Sequence, residues 1–144
     1  MGGDLKERLL ATAHNPARPL SPHLGVWKWG PHMLVSILHR ATGSGMATVG
    51  TLLFVWWVTA AASGKDAYGV FLSWFTGDWA WLGYLLGVGL SWAFFQHMAN
   101  GVRHLFMDIG ANFELKANKT SAVATMVFAA LATLVFWAYI LGGK

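Results

Sequence analysis

The sequence predicts an all-α membrane protein with three transmembrane helices. Of its 144 residues, 56% are hydrophobic and only 11% are charged, which is too apolar for a soluble domain of this size. Three long runs contain no charged residue, and each can cross a bilayer as a helix. With their helical flanks, these runs predict spans at about 32–63, 79–108 and 120–142.

Residues 1–30 are expected to form a cytoplasmic segment ahead of a membrane domain at 31–144. The first fifteen residues mix leucines with charges and lack the apolar run of a secretory signal, so they predict a short surface helix. Three prolines then break helical structure, at Pro16, Pro19 and Pro22. An aromatic and basic cluster suited to the headgroup layer follows at Trp27, Lys28 and Trp29.

The first span carries a polar pair at its upstream end. Ser36 and Arg40 share one helix face, within about 80°, with small residues further along the span. These small residues are Gly43, Ala47 and Gly50. The stripe is expected to face protein or a ligand, because small residues allow close approach.

The second span ends in a concentration of polar chemistry. His97, Gly101, His104 and Asp108 fall within about 60° of one another on a helix. Ionisable side chains inside a membrane are costly, so His97 is a candidate ligand residue. The alternative is that His97 only hydrogen-bonds to a neighbouring helix, and His104 and Asp108 only to each other.

Arg103 and the third span have simpler interpretations. Arg103 lies near the end of the second span, where it either belongs to a site or anchors the helix in lipid headgroups. The third span has no Asp, Glu, Lys, Arg or His and many Ala and Thr, and it is expected to serve packing.

The distribution of charge predicts the orientation. Five Lys or Arg residues lie on the N-terminal side up to Arg40, and two lie in the loop at 112–119. The connecting segment at 65–78, which is expected to lie on the membrane surface, has one Lys against two Asp. The positive-inside rule then puts the N-terminus in the cytoplasm.

Charge and cysteine content exclude other classes of function. The net charge of +4 comes from residues that flank the spans, so it indicates topology and not nucleic-acid binding. The chain has no cysteine, so a metal would be held by His, Met or carboxylate. The three spans show neither an internal repeat nor a polar run that would line a path, so a transporter is not indicated.

Two motifs resemble those of a known family. The shorter motif, preceded at a distance by Arg18-Pro19-Leu20, reads Ser36-Ile37-Leu38-His39-Arg40-Ala41-Thr42-Gly43. The longer reads His97-x-x-x-Gly101-Val102-Arg103-His104-Leu105-x-Met107-Asp108-x-Gly110. Together they closely resemble the cytochrome b membrane-anchor subunits of succinate dehydrogenase, from about residue 18 to the end of the third span.

The resemblance implies a place in respiratory complex II. This chain would pair with a second hydrophobic three-helix subunit around a b-type haem in the bacterial inner membrane. The pair would anchor a flavoprotein and an iron–sulfur subunit on the cytoplasmic face. Succinate is oxidised outside this chain, and electrons pass to ubiquinone near the membrane surface.

The resemblance also implies roles for individual residues. Ser36 and Arg40 would contribute to the quinone site, and His39 and Arg40 would lie toward the haem propionates. His97 would be an axial ligand of the haem iron, with the other axial ligand supplied by the partner subunit.

Three alternatives stay open. The chain could be a structural anchor without haem, or the anchor of a fumarate reductase that works with a quinol. It could also be a self-contained haem protein in which His39 or His32 supplies the second ligand to His97.

Overall fold

The computed structural model describes residues 28–143, and every regular element in that range is a helix. The α-helices are α1 (Pro31–Gly45), α2 (Thr51–Ala62), α3 (Lys65–Thr76), α4 (Ala80–Asp108) and α5 (Leu115–Gly142). The surface helix, the proline breaks and Trp27, all expected from the sequence before residue 28, lie outside the described residues.

The first span is one long helix with an irregular middle. A π-helical turn at Met46–Gly50 joins α1 to α2, so that helical backbone runs from Pro31 to Ala62. Its 32 residues correspond to a length of about 48 Å. Pro31 occupies the first turn, where its missing N–H is not needed. After Ala62 the chain turns at Gly64, whose φ of 102° is a conformation that glycine adopts without strain.

The connecting segment contains the short helix α3, which packs against α2 and α4. The indole ring of Trp56 on α2 meets Phe71 and Trp74 of α3 edge-on, at centroid distances of 5.0 and 5.8 Å. The backbone carbonyl of Trp74 lies so close to Gly83 of α4 that a Cβ there would overlap it. Aromatic contacts and one close backbone approach therefore hold α3 in place.

Helices α4 and α5 pack side by side through small residues. The chain reverses between them at Gly110 and Asn112, with φ values of 88° and 65°. Ala122 and Ala129 of α5 are fully buried, which allows the two backbones to come close. Further along, the Trp137 indole donates a hydrogen bond of 3.3 Å to the Ser91 hydroxyl.

The distribution of side chains is the reverse of that in a soluble protein. Gln96 and Asn100 of α4 are fully buried and Arg103 is 6% exposed, whereas Leu134 and Val135 of α5 are 67% and 69% exposed. Polar groups can be shielded from a surrounding apolar medium only inside a bundle. The fold is therefore that of an integral membrane protein.

Two of the helical stretches, Pro31–Ala62 and Leu115–Gly142, are long and apolar enough to cross a membrane. Glycines, Gln96 and His97 reduce the hydropathy of α4, so that a third span there stays a prediction. Helix α5 begins at Leu115, so its first five residues come from the predicted loop ahead of the span at 120–142.

Candidate functional site

His97 lies where α4 packs against α1, and both of its hydrogen-bonding contacts involve ring atom Nδ1. Nδ1 is 3.1 Å from the backbone carbonyl oxygen of His39 and 3.3 Å from the hydroxyl oxygen of Thr42. Because a carbonyl oxygen only accepts, Nδ1 must carry the proton in this contact. In an imidazole that carries its one proton on Nδ1, Nε2 keeps its lone pair, which is the electron pair that a metal ion needs.

Gly43 provides the space in which the His97 ring lies. A Cβ atom added at Gly43 would be 2.8 Å from Cε1 and 3.3 Å from Nδ1 of that ring. Real Cβ atoms do not come within 3.0 Å of such an atom. Gly43, one of the small residues that were expected to face protein or a ligand, therefore faces the His97 ring of α4.

His39, His97 and His104 form a cluster of three histidines, with His39 in the middle. Its ring stacks on that of His97 with the centroids 3.9 Å apart and the planes 7° from parallel. His104 meets His39 edge-on, at 5.0 Å and 86°. A Cβ at Gly101 would be 4.0 Å from His39. His97 and His104 of the predicted α4 face thus contact one histidine of α1, and Gly101 leaves open space beside it. The fourth residue of that face, Asp108, is exposed in the last turn of α4.

Ser36 and Arg40 lie one helical turn apart on α1, on either side of the His39 position, and both are exposed. Within residues 28–143 neither side chain forms a hydrogen bond or an ion pair. Both polar groups are therefore unpaired within the described part of the chain.

Arg103 is a structural residue of the helix interface. Its guanidinium donates hydrogen bonds to Asn118 Oδ1 at 2.8 Å, to Ser121 Oγ at 3.0 Å and to Asn100 Oδ1 at 3.4 Å. With 6% of its surface exposed, it joins α4 to the start of α5. Of the two interpretations left open for Arg103, burial excludes anchoring in lipid headgroups.

Gln96, Asn100 and Thr42 are buried polar residues that reasoning from the sequence did not single out. Asn100 donates a 3.4 Å hydrogen bond to the Val35 carbonyl of α1, whereas neither Oε1 nor Nε2 of Gln96 has a partner among the described residues. The signal that was present is a strongly polar side chain inside an apolar run. Its role depends on which helix it faces, and the sequence does not give that.

The fold and this geometry define a class: an integral membrane protein of packed helices in which the imidazole rings of His39, His97 and His104 meet between the first and second long helices. The chain belongs to the succinate dehydrogenase/fumarate reductase transmembrane subunit family, whose model matches residues 14–136. The resemblance seen in the two motifs is thereby confirmed.

Individual relatives agree with this family. The chain is 32% identical over 137 residues to the succinate dehydrogenase cytochrome b556 subunit of Paracoccus denitrificans, covering 90% of this chain and 100% of that protein. It is 33% identical to the cytochrome b556 subunit of Rickettsia felis over 120 residues, which are 83% of this chain and 90% of the relative. It is 35% identical over 118 residues to the mitochondrial cytochrome b560 subunit of Mus musculus, covering 81% and 68%.

Proposed function

We propose that this chain is the membrane-anchoring, haem b-binding subunit of a succinate:ubiquinone oxidoreductase, respiratory complex II. The observation that carries the proposal is the His97 ring, with Nδ1 held by α1 and Nε2 left available. The cytochrome names of the relatives support the same assignment. When bound, haem b supplies a one-electron carrier within the membrane.

The residues around His97 fit an axial imidazole ligand of haem iron. A ligating histidine usually donates its second ring N–H to a carbonyl or another acceptor, which fixes the tautomer and the ring orientation. His97 makes this contact with the His39 carbonyl at 3.1 Å. His39 stacks on the His97 ring, and Arg40, the next residue of α1, would supply a cationic donor matched to the carboxylates of the haem propionates.

The second axial ligand belongs to the partner subunit in this proposal. The His39 and His97 rings are stacked, with planes 7° from parallel, so their nitrogens do not point at each other across a common centre. His32 lies seven residues before His39, roughly 10 Å along the helix, and its ring packs over Gly30. Both observations favour a haem shared between two subunits over a self-contained one.

Ser36 and Arg40 form the proposed quinone site. A quinone presents two carbonyl oxygens, which accept hydrogen bonds from a hydroxyl and from a guanidinium. Both side chains are exposed and without partners in the described part of the chain. At the start of the first span they lie where the headgroup of ubiquinone is held while its tail stays in lipid.

The proposed arrangement in the membrane has three spans, with α4 as the second. Residues 1–30 lie on the cytoplasmic side of the bacterial inner membrane, and residues 31–144 form the membrane domain. A second hydrophobic subunit covers part of the exposed apolar surface. The flavoprotein and iron–sulfur subunits dock on the cytoplasmic face, so this chain carries no catalytic residue for succinate oxidation.

A fumarate reductase anchor is the alternative that the family description leaves open. The relatives compared above are all named as succinate dehydrogenase subunits, which favours succinate oxidation. The preference of the complex for ubiquinone or for a low-potential quinol distinguishes the two.

The test is the reduced-minus-oxidised spectrum of membranes that carry the complete complex. His97→Leu is expected to abolish the b-type signal because it removes the ligand nitrogen. The assembled subunits are expected to remain detectable because leucine replaces the ring with an apolar side chain that still fills part of its space. His104→Leu is the matched control, since it removes a histidine from the same face of α4, and it is expected to keep the signal. A normal b-type signal in His97→Leu would contradict the assignment.

A further inference from the structure

Thr42 is the one side chain of α1 whose hydroxyl contacts the His97 ring. Its Oγ1 lies 3.3 Å from Nδ1, and the threonine is 6% exposed. The same hydroxyl lies 2.7 Å from the carbonyl oxygen of Leu38 in the preceding turn. This buried hydroxyl lies between the backbone of its own helix and the histidine of another.

The hydrogen-bond donors at this point can be assigned from the partners. The single hydroxyl proton of Thr42 is donated mainly to the Leu38 carbonyl at 2.7 Å, with the His39 carbonyl at 3.2 Å as a second acceptor, and neither carbonyl can donate in return. The hydroxyl oxygen therefore presents lone pairs to His97, whose Nδ1–H is shared between this oxygen and the His39 carbonyl. Two acceptors at 3.1 and 3.3 Å hold one N–H.

These contacts leave the imidazole little freedom. The two acceptors fix the direction of the Nδ1–H bond, and the parallel ring of His39, 3.9 Å away, covers one face of the imidazole. On the side of α1, the ring lies directly against the backbone at Gly43, where there is no room even for a Cβ atom. The orientation of His97 is thus determined almost entirely by residues 39–43.

We propose that Thr42 is a positioning residue for the haem ligand: its hydroxyl orients the His97 ring and makes Nε2 a stronger electron donor. The proposal rests on the proposed function, since it concerns the iron that His97 would bind. An acceptor that is hydrogen-bonded to the other ring nitrogen raises the basicity of the ligating imidazole, and ferric iron, with the higher charge, gains more from this than ferrous iron.

The experiment compares variants of the whole complex in membranes by potentiometric titration and low-temperature electron paramagnetic resonance. Thr42→Val, which replaces the hydroxyl by a methyl group, is expected to reduce the preference for ferric haem about two- to threefold, within the range for one hydrogen bond. At 59 mV per tenfold for a one-electron couple, this is an upward shift of the midpoint potential of roughly 20–30 mV. The ferric resonance, which reports ring orientation, is expected to change as well.

The chain offers a matched control in Thr48. Its hydroxyl makes the same backbone contact, 2.8 Å from the Ser44 carbonyl, but it is exposed. Thr48→Val is therefore expected to leave the potential and the resonance unchanged. Thr42→Ser, which keeps the hydroxyl, is expected to restore both values toward those of the wild type. If Thr42→Val does not assemble, Thr42→Ala removes the hydroxyl without adding a methyl group beside the ring.

The outcomes separate this proposal from the proposed function. A wild-type complex with a b-type signal and hydroxyl-free variants of Thr42 with unchanged potential and resonance would overturn the role of Thr42 alone. Equal shifts in Thr42→Val and Thr48→Val would overturn it too, since they would show a general effect of the helix. A wild-type complex without any haem signal would overturn both.

Discussion

At the scale of single residues, Ser36 and Arg40 are polar side chains that are exposed at the start of the first long helix. A hydroxyl and a guanidinium near the start of a membrane span are costly to leave unpaired in lipid, yet no residue between 28 and 143 pairs with them. Arg103 shows the opposite solution, since all of its bonds go to neutral acceptors inside the chain. The buried arginine therefore stabilises the bundle, whereas Arg40 has no such partner among residues 28–143.

Ser36→Ala tests the quinone site without removing a charge. If the hydroxyl donates to a quinone carbonyl, the apparent KM for ubiquinone rises about two- to tenfold, as expected for one hydrogen bond, and succinate oxidation with a water-soluble acceptor stays normal. The measurement is steady-state quinone reduction by the assembled complex. Ser44→Ala, exposed two turns further along the same helix, is the control, and an unchanged KM in Ser36→Ala would count against the site.

At the scale of elements, the approach of α1 to α4 determines whether the site exists. The His97 ring occupies the place that a side chain at position 43 would fill, and the Thr42 and His39 acceptors lie on the same turn. The polar bonds from Asn100 to α1 and from Arg103 to α5 fix the rotation of α4 about its own axis. The same rotation of α4 therefore positions both its histidines, His97 and His104, and its buried amides, Gln96 and Asn100.

Gly43→Ala is expected to lower haem affinity roughly tenfold, because the new methyl group forces the His97 ring away from its acceptors. The measurement is the ratio of haem to protein after purification of the complex in detergent. Gly45→Ala on the same helix is the control, since a Cβ there meets nothing within 4 Å. It is expected to retain haem and to stabilise the helix by up to about 1 kcal/mol. Equal haem loss in both variants would contradict the role given to Gly43.

At the scale of the whole molecule, the outer surface is apolar, whereas Gln96, Asn100 and Arg103 of α4 are buried. This distribution suits a chain that is surrounded by lipid and by other subunits. Leu52 and Tyr139 are 71% and 80% exposed, while the fully buried apolar side chains are small or medium in size. Such a bundle has little hydrophobic core of its own. Its stability comes from close helix packing and internal hydrogen bonds, as expected where the surrounding medium is itself apolar.

The three-span topology can be tested by cysteine labelling, since the natural chain has no cysteine. Lys116→Cys and Lys28→Cys are expected to react with a membrane-impermeant maleimide only from the cytoplasmic side, and Lys65→Cys only from the opposite side. All three positions are exposed, so reactivity depends on sidedness. Labelling of Lys65→Cys and Lys116→Cys from the same side would show that α4 does not cross the membrane.

Helical periodicity alone brought His97, Gly101 and His104 onto one face, and in the structure the two histidines of that face contact His39. Periodicity is a local property, so no tertiary information was needed for it. The π-helical turn at Met46–Gly50 and the helix within the connecting segment were not predicted. Both depend on packing between helices, which the local pattern of residues does not contain.

The sequence by itself determined the all-helical, membrane-embedded character of this protein, the family to which it belongs and the histidine on which the proposed function depends, because composition, hydrophobic run length and motif spacing are read along one dimension. Only the tertiary structure decided that Thr42 and the His39 carbonyl hold the His97 ring and that Arg103 is buried between helices. These relations join residues more than fifty positions apart in the first case and on separate helices in the second. They exist only once the rotation and depth of each helix against its neighbours are set.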